Sequence, residues 1–362
     1  MFWRGAVSGA DHDADLRAYE ARIASLEAKL KAIEEQFVRE ADAGGRFDLK
    51  SIAEKFGLLG VWALLILGFG FLTPNMFSWQ PYASMLGFNS IIVVLTLGLI
   101  LPLTAGDFDL SGASVLTLAA MIVAILNVKS GVPIPLAVAI ALLVGALVGA
   151  INAFFILYFR IHSLIVTLGV GYFINGVILW ISNSAVVFGQ SLSSLVAFVF
   201  GARLLGIALL FWYALILTIA LWYLFEYTAT GRRLLFVGRG REVARLSGVK
   251  VERVRGGAPI ASGMIAALAG VLYTGMRGSA DPSSGLAFLL PAFAAAFLGS
   301  TVIYPGRFNP WGAFVAVFFL STGILGLNFL GADSYVQNLF YGGGLVVAVA
   351  ISQLVRKRQA MD

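Results

Sequence analysis

Two carboxylates pose the first chemical question of this chain. Asp107 and Asp109 lie in Gly106-Asp107-Phe108-Asp109-Leu110-Ser111-Gly112, a polar interruption of an otherwise apolar region. Ionised groups at bilayer depth are costly, so acids in such a place face a watery cavity or pair with a partner. The other reading is a turn in which Asp109 or Ser111 accepts the orphan backbone N–H groups that open the next helix, ahead of Gly112. Further polar candidates inside apolar stretches are Asn89, Thr104, Asn152, Thr167, Asn175 and Asn328. Amides both donate and accept, which suits hydroxyl-rich solutes. Lone Asn and Thr in membrane helices more often bond a neighbouring helix. His162, beside Arg160, reads as an interfacial residue. The chain has no Gly-x-x-x-x-Gly-Lys-[Ser/Thr] phosphate loop, no His-Glu-x-x-His, no cysteine and no nucleophile set beside a base. These gaps argue against an enzyme and against unaided ATP hydrolysis.

A second concentration of polar residues runs from Gly231 to Val251, GRRLLFVGRGREVARLSGVKV, between apolar stretches long enough to cross a membrane. Gly238 and Gly248 bound REVARL, a short amphipathic turn with Val243 and Leu246 on one face and Arg241 and Arg245 on another. Such a loop is suited to meeting a partner outside the bilayer, although its arginines also serve simply as anchors.

The elements that must position these residues are membrane helices. Of the residues, 59% are hydrophobic and 12% charged, and the mean hydropathy is +0.90, too little polar surface for a soluble globule of 362 residues. Eleven of the 19 acids precede residue 57, so the water-facing part is N-terminal. The net charge of +6 comes from Lys and Arg at the ends of apolar runs. Membrane anchoring explains that placement, and a nucleic-acid partner is not needed. The expected class is all-α and polytopic. About ten spans of the ~20 residues a bilayer requires are read at 57–73, 84–105, 113–128, 134–158, 163–182, 207–226, 258–277, 287–303, 310–330 and 337–355.

Residues 1–56 form an N-terminal segment with no signal-peptide core. Leu16, Ile23, Leu30 and Phe37, with Leu26 and Ile33, give residues 11–43 a heptad stripe that suits a short coiled coil. Residues 57–355 form the membrane domain, with a polar loop at 228–257, and 356–362 a tail. The Lys and Arg bias places both termini and that loop in the cytoplasm. Small residues recur every fourth position at Ala141, Gly145, Gly149 and Ala153, and again at Ser262, Ala266, Gly270, Thr274 and Gly278, which predicts close helix packing.

Four segments resemble the ribose-type branch of the ABC importer permeases, the branched-chain amino acid/ribose permease family. They are GDFDLSGASVLTLAA at 106–120, SLIVTLGVGYFINGV at 163–177, TGRRLLFVGRGREVARLSGVKVERV at 230–254 and LNFLGADSYVQN at 327–338, in order and at matching spacing. The first carries the family pattern through Asp109, Leu110, Ser111, Gly112 and Ser114. The chain departs from that pattern at Arg239-Gly240-Arg241, at Phe288 to Ala292, at Ile324-Leu325 and at Tyr304-Pro305-Gly306-Arg307.

The resemblance implies the membrane subunit of an inner-membrane importer for a sugar or sugar-like solute. It would be paired with a second permease copy or paralogue, a periplasmic solute-binding protein and a separate ATPase that holds ATP and Mg, this chain binding no cofactor or metal. The ATPase would dock at Gly238, Arg239, Arg241, Val243, Ala244, Arg245, Leu246, Ser247 and Gly248. Phe88, Asn89, Phe173 and Asn175 would line the solute path, and Asp107, Asp109, Ser111 and Gly112 would be structural. The rival reading, a stand-alone ion-coupled carrier, would need ionisable residues deep in the membrane, and Asp107 and Asp109 are the candidates for them.

Overall fold

The apolar segments become helices. A computed structural model describes residues 49–359 together with Arg22 and Lys31. The residues of the heptad stripe lie outside the described residues. The chain divides into two compact units, Met1–Ala53 and Glu54–Asp362. In chain order the helices are α1 (Leu49–Leu72), α2 (Trp79–Thr104), α3 (Gly112–Ala124, continued by a wider turn to Lys129), α4 (Ile134–Leu157), α5 (Ser163–Ser182), α6 (Ser193–Val196) and α7 (Leu209–Tyr227). They are followed by α8 (Ala229–Arg239), α9 (Arg241–Leu246), α10 (Val251–Arg277), α11 (Leu286–Gly299), α12 (Pro310–Phe329) and α13 (Ser334–Gln359).

Seven of these are long and apolar enough to cross a membrane: α2, α3 with its continuation, α4, α5, α7, α10 and α12. Gly57–Leu72, α11 and the stretch Gln190–Gly201 are shorter apolar helices. The architecture is therefore all-α and multi-pass. The sequence reading leaves 183–206 as a connection, whereas Gln190–Gly201 is mostly helical there. It is flanked by two-residue ladders, Val187–Phe188 antiparallel to Ser279–Ala280 and Arg203–Leu204 antiparallel to Ile207–Ala208.

Burial singles out the axis of the bundle. In the apolar stretch of α2 83% of the residues are buried, whereas in those of α4, α5 and α7 only 28% are, and these helices turn broad faces outward. Long helix α10 lies against α4, α3 and α2. Glycines permit that approach. A side chain at Gly145 or Gly149 of α4 would run into the backbone of Gly263, Pro259 and Ile260, and one at Gly270 would run into the Leu116 carbonyl of α3. The two small-residue stripes do not face each other. The Ser262, Ala266, Gly270, Thr274 stripe lies on α3, with Thr274 Oγ1 donating to the Ala120 carbonyl at 3.4 Å, and the α4 stripe meets the strip beside it. Among lipids, where apolar surface gains nothing by leaving one apolar medium for another, close backbone contact is what holds helices together.

Local chemistry sets the ends. Thr228 caps α8 by accepting from the Gly231 N–H at 3.2 Å, and Asn309 caps α12 by accepting from Gly312 at 2.6 Å, with Pro310 at the first helical position. α10 stops where Gly278 turns left-handed at φ 66°.

Candidate functional site

The turn between α2 and α3 is built around Asp107. The chain leaves α2 through Gly106 at φ 80°, and the Asp107 N–H returns to the Pro102 carbonyl at 2.9 Å. Asp107 is 4% exposed. Arg255 of α10 grips its carboxylate with two bonds, Nε to Oδ2 at 2.8 Å and Nη2 to Oδ1 at 2.7 Å. That planar fork is the strong geometry for an arginine–carboxylate pair. Arg241, the first residue of α9, donates through Nη2 to Asp107 Oδ1 at 3.1 Å and to the carbonyls of Gly106 and Ala105 at 2.8 and 3.2 Å. Its charge thus sits on the unsatisfied carbonyl end of α2, where a cation is favoured. From the other side, Ser163 and Thr167 of α5 accept the backbone N–H groups of Phe108 and Leu110 at 3.0 and 3.1 Å.

Asp109 faces the interior, 2% exposed. Its Oδ1 accepts from the N–H and hydroxyl of Ser111 at 3.1 and 2.6 Å, and its Oδ2 accepts from the Ser262 hydroxyl at 2.8 Å. Asn152 of α4 donates to the Ser111 hydroxyl at 2.8 Å. The result is a buried polar bridge joining α3, α4 and α10 at the entrance of α3. Of the two expected caps, Asp109 is the one that takes the backbone N–H, while Ser111 makes no cap bond and relays the carboxylate to Asn152. Gly112 is buried beneath Leu99.

α8 buries Gly231, Leu234 and Val237 and leaves Arg232, Arg233 and Arg239 exposed. Gly238 lies inside α8 rather than at a helix boundary as the sequence suggests, and a side chain there would strike the Thr104 carbonyl at the end of α2. The break between α8 and α9 is at Gly240, which accepts the N–H of Ala244 at 2.9 Å. On α9, Ala244 is buried against Val237 and Val251, whereas Val243, Leu246 and the C-cap residue Ser247 just beyond the helix are exposed, Leu246 by 87%. Gly248, at φ 80°, turns the chain into α10. Arg245 pairs with Glu242 at 3.2 Å and Glu252 at 2.7 Å. The hydrogen bond to Glu252 and the charges of both carboxylates hold its guanidinium above the usual value. α9 therefore shows an apolar edge outward and is fastened behind by Arg241.

Phe88 and Asn89 lie on α2, Phe173 and Asn175 on α5, and no hydrogen bond or ring contact among the described residues joins the two pairs. Phe88 is exposed, with its ring 5.0 Å from that of Phe200. Asn89 Nδ2 donates to the Met85 carbonyl of its own helix at 3.1 Å. Phe173 is exposed on an outward stripe of α5 that includes Ile165, Leu168, Tyr172 and Trp180. Asn175 is half-buried beside that stripe.

Sequence reasoning missed Arg255, and it assigned Ser262 only to packing. Both could have been found. A buried carboxylate requires a partner, and two acids separated by one residue find theirs in Arg255 and Ser262, seven apart on one helical face.

The family model for branched-chain amino acid transport system permease components matches residues 82–349. The D-allose transport system permease protein of Escherichia coli K12 is 30% identical over 319 residues, which span 88% of this chain and 97% of that protein. The autoinducer 2 import system permease protein of Escherichia coli O9:H4 is 31% identical over 313 residues, spanning 84% and 93%. A protein of the same description from Shigella flexneri is equally similar. No solved structure matches the chain significantly.

Proposed function

The chain belongs to the family of branched-chain amino acid transport system permease components, and on that premise we propose that it is the membrane half of an ATP-driven importer of a sugar or sugar-like solute. The observation that carries this reading is α9, whose Val243 and Leu246 are free on one side while Arg241 ties the other side to the end of α2. An apolar pair exposed on a short helix outside the spans fits a groove on a partner. The partner is a separate ATPase subunit, which holds ATP and Mg. Movement of α9 on that subunit pulls on the Asp107 turn and on α10 together, because Arg241 and Arg255 share one carboxylate. Displacement of packed helices by a docked element is a recognised route to alternating access.

The end that carries α8 and α9 is cytoplasmic in this reading, because Arg232, Arg233, Arg239, Lys250 and Arg253 cluster there while Lys129 and Arg203 lie toward the other end. The membrane is the bacterial inner membrane. A periplasmic solute-binding protein meets the opposite face, and a second copy or a paralogue completes the path. The solute class rests on the D-allose relative and on the amides and aromatic rings of α2 and α5. Replacing Val243 and Leu246 together by Asp and measuring solute-stimulated ATP hydrolysis of the reconstituted importer tests the reading. Normal stimulation would remove it.

A further inference from the structure

An apolar groove of about 330 Å³ runs between α2, α7, α8 and α10, lined by Leu101, Leu221, Leu224, Ala258 and Ile265. It meets a second, polar cavity of about 440 Å³ formed by Ser247, Gly248, Val249 and Lys250. Arg233, Arg253 and Val254 line both, so the two adjoin at these residues. Arg233, Lys250 and Arg253 are exposed, and none belongs to an ion pair among the described residues. The nearest carboxylate in sequence, Glu252, is held by Arg245 at 2.7 Å. The first turn of α10 begins here with no side-chain cap from Lys250, which adds the positive end of a long helix. Gly257 also lines the groove, exposed, and a Cβ there would have no atom within 4 Å, so a larger side chain has room to enter.

We propose that groove and cavity together bind one anionic phospholipid of the adjoining leaflet, with an acyl chain along α7 and α10 and the phosphate among Arg233, Lys250 and Arg253. Charge complementarity argues for an anion, and the apolar continuation argues that the anion carries a hydrocarbon chain. An acidic patch on a docked protein would satisfy the three cations but would leave empty an apolar groove whose other walls are the membrane-crossing helices α2, α7 and α10. Clustered basic residues beside the ends of spans are a recognised form of anionic-lipid recognition. The bound lipid would brace α8 against α10, the two elements that carry α9, and so would tune how firmly α9 is held.

The test reads lipid binding, not transport, so its outcome is independent of the proposed import function. The full-length protein, purified in detergent, is exposed to dioleoylphosphatidylglycerol or dioleoylphosphatidylcholine, and retained lipid is read by native mass spectrometry. Phosphatidylglycerol should be retained in preference. The paired change Arg233→Gln and Arg253→Gln should weaken its retention by about tenfold or more, since each basic residue near an anionic headgroup contributes about a factor of five. Gly257→Leu should fill the groove and lower retention likewise, and it replaces a poor helix former at an open position, so it carries the test if the arginine pair fails to insert. Retention of phosphatidylglycerol unchanged by both variants would overturn the proposal. So would displacement of the lipid by an equal concentration of inorganic phosphate, which would mark a free-anion site. Loss of ATPase-subunit co-purification in the arginine variant, with lipid retention intact, would assign the cations to the partner and overturn it as well.

Discussion

Arg241 and Asp107 are 134 residues apart in the chain and 3.1 Å apart in space, and the carboxylate they share with Arg255 joins α9, the end of α2 and the start of α10. The two arginines hold it unequally. Arg255 makes the bidentate grip and is 18% exposed, whereas Arg241 makes a single bond and is 39% exposed. Fold and coupling can therefore be separated by mutation.

Arg241→Ala should leave the protein folded, because Arg255 still neutralises Asp107. It should nevertheless unfasten α9 from α2. Coupling between sites is commonly worth 1–3 kcal/mol, so uptake per ATP hydrolysed should fall by at least about fivefold. Asp107→Ala instead strands a half-buried arginine, and breaking a buried pair from one side costs about 3–5 kcal/mol, so that variant should show less folded protein. Paired measurements of uptake and ATP hydrolysis in proteoliposomes check this. An unchanged ratio in Arg241→Ala would show that the bond transmits nothing.

Val243→Asp with Leu246→Asp should abolish solute-stimulated ATP hydrolysis while the permease still inserts and folds. Both side chains are already in contact with solvent, so charge there costs the isolated chain little. A docking edge of this size tolerates changes at its rim but not loss of its apolar anchors. The companion change Ala244→Asp should behave differently and destabilise the loop itself, because Ala244 is buried against Val237 and Val251.

The helical class was legible in the sequence because membrane spans announce themselves by length and composition, and the ten expected spans fall within or nearly within helices of the structure. The α9 faces were legible as well, since Val243 and Leu246 share a side at helical spacing. Beyond the Arg255 and Ser262 spacing, the linear pattern carried no signal for contact across the bundle. Arg241 reads as one more anchoring arginine until the fold brings it to Asp107. Gly238 reads as a helix stop, and its real role is to let α8 touch the end of α2. The departure at Tyr304 to Arg307 likewise acquires a purpose only in three dimensions. Arg307 crosses to Glu226 of α7 at 2.5 Å and lies 4.1 Å from the Tyr304 ring centre.

Asn175→Leu should lower the transport rate by a modest factor without changing which solute is carried. The Asn175 side chain has no protein hydrogen bond among the described residues and lies next to exposed Phe173, so it is free for a hydroxyl-bearing solute, whereas Asn89 is occupied by its own helix. If a binding protein selects the solute, as proposed, the path itself needs only weak contacts, because conduction requires that a solute also leave. Uptake competition among sugars and polyols by wild type and variant checks this. A changed solute preference would mean that the path itself selects.

Asp109 is the remaining candidate for a proton carrier, and its surroundings argue for a structural role. Three groups of Ser111 and Ser262 donate to it, two to Oδ1 and one to Oδ2, so the carboxylate is an acceptor hub at the start of α3. Asp109→Asn keeps Oδ1 toward Ser111 and turns an amide N–H₂ toward Ser262. The Ser262 hydroxyl can rotate to accept it, as hydroxyls both donate and accept. Most transport activity should survive. Asp109→Leu leaves Ser111, Ser262 and the backbone N–H unsatisfied, and each buried polar group left so costs about 1–3 kcal/mol. The amount of folded protein should fall. Proton coupling predicts another pattern, in which Asn is as damaging as Leu and uptake collapses when an uncoupler dissipates the gradient at constant ATP. Measuring both variants in proteoliposomes with and without uncoupler therefore separates an acceptor that fixes the turn from a carboxylate that must release its proton.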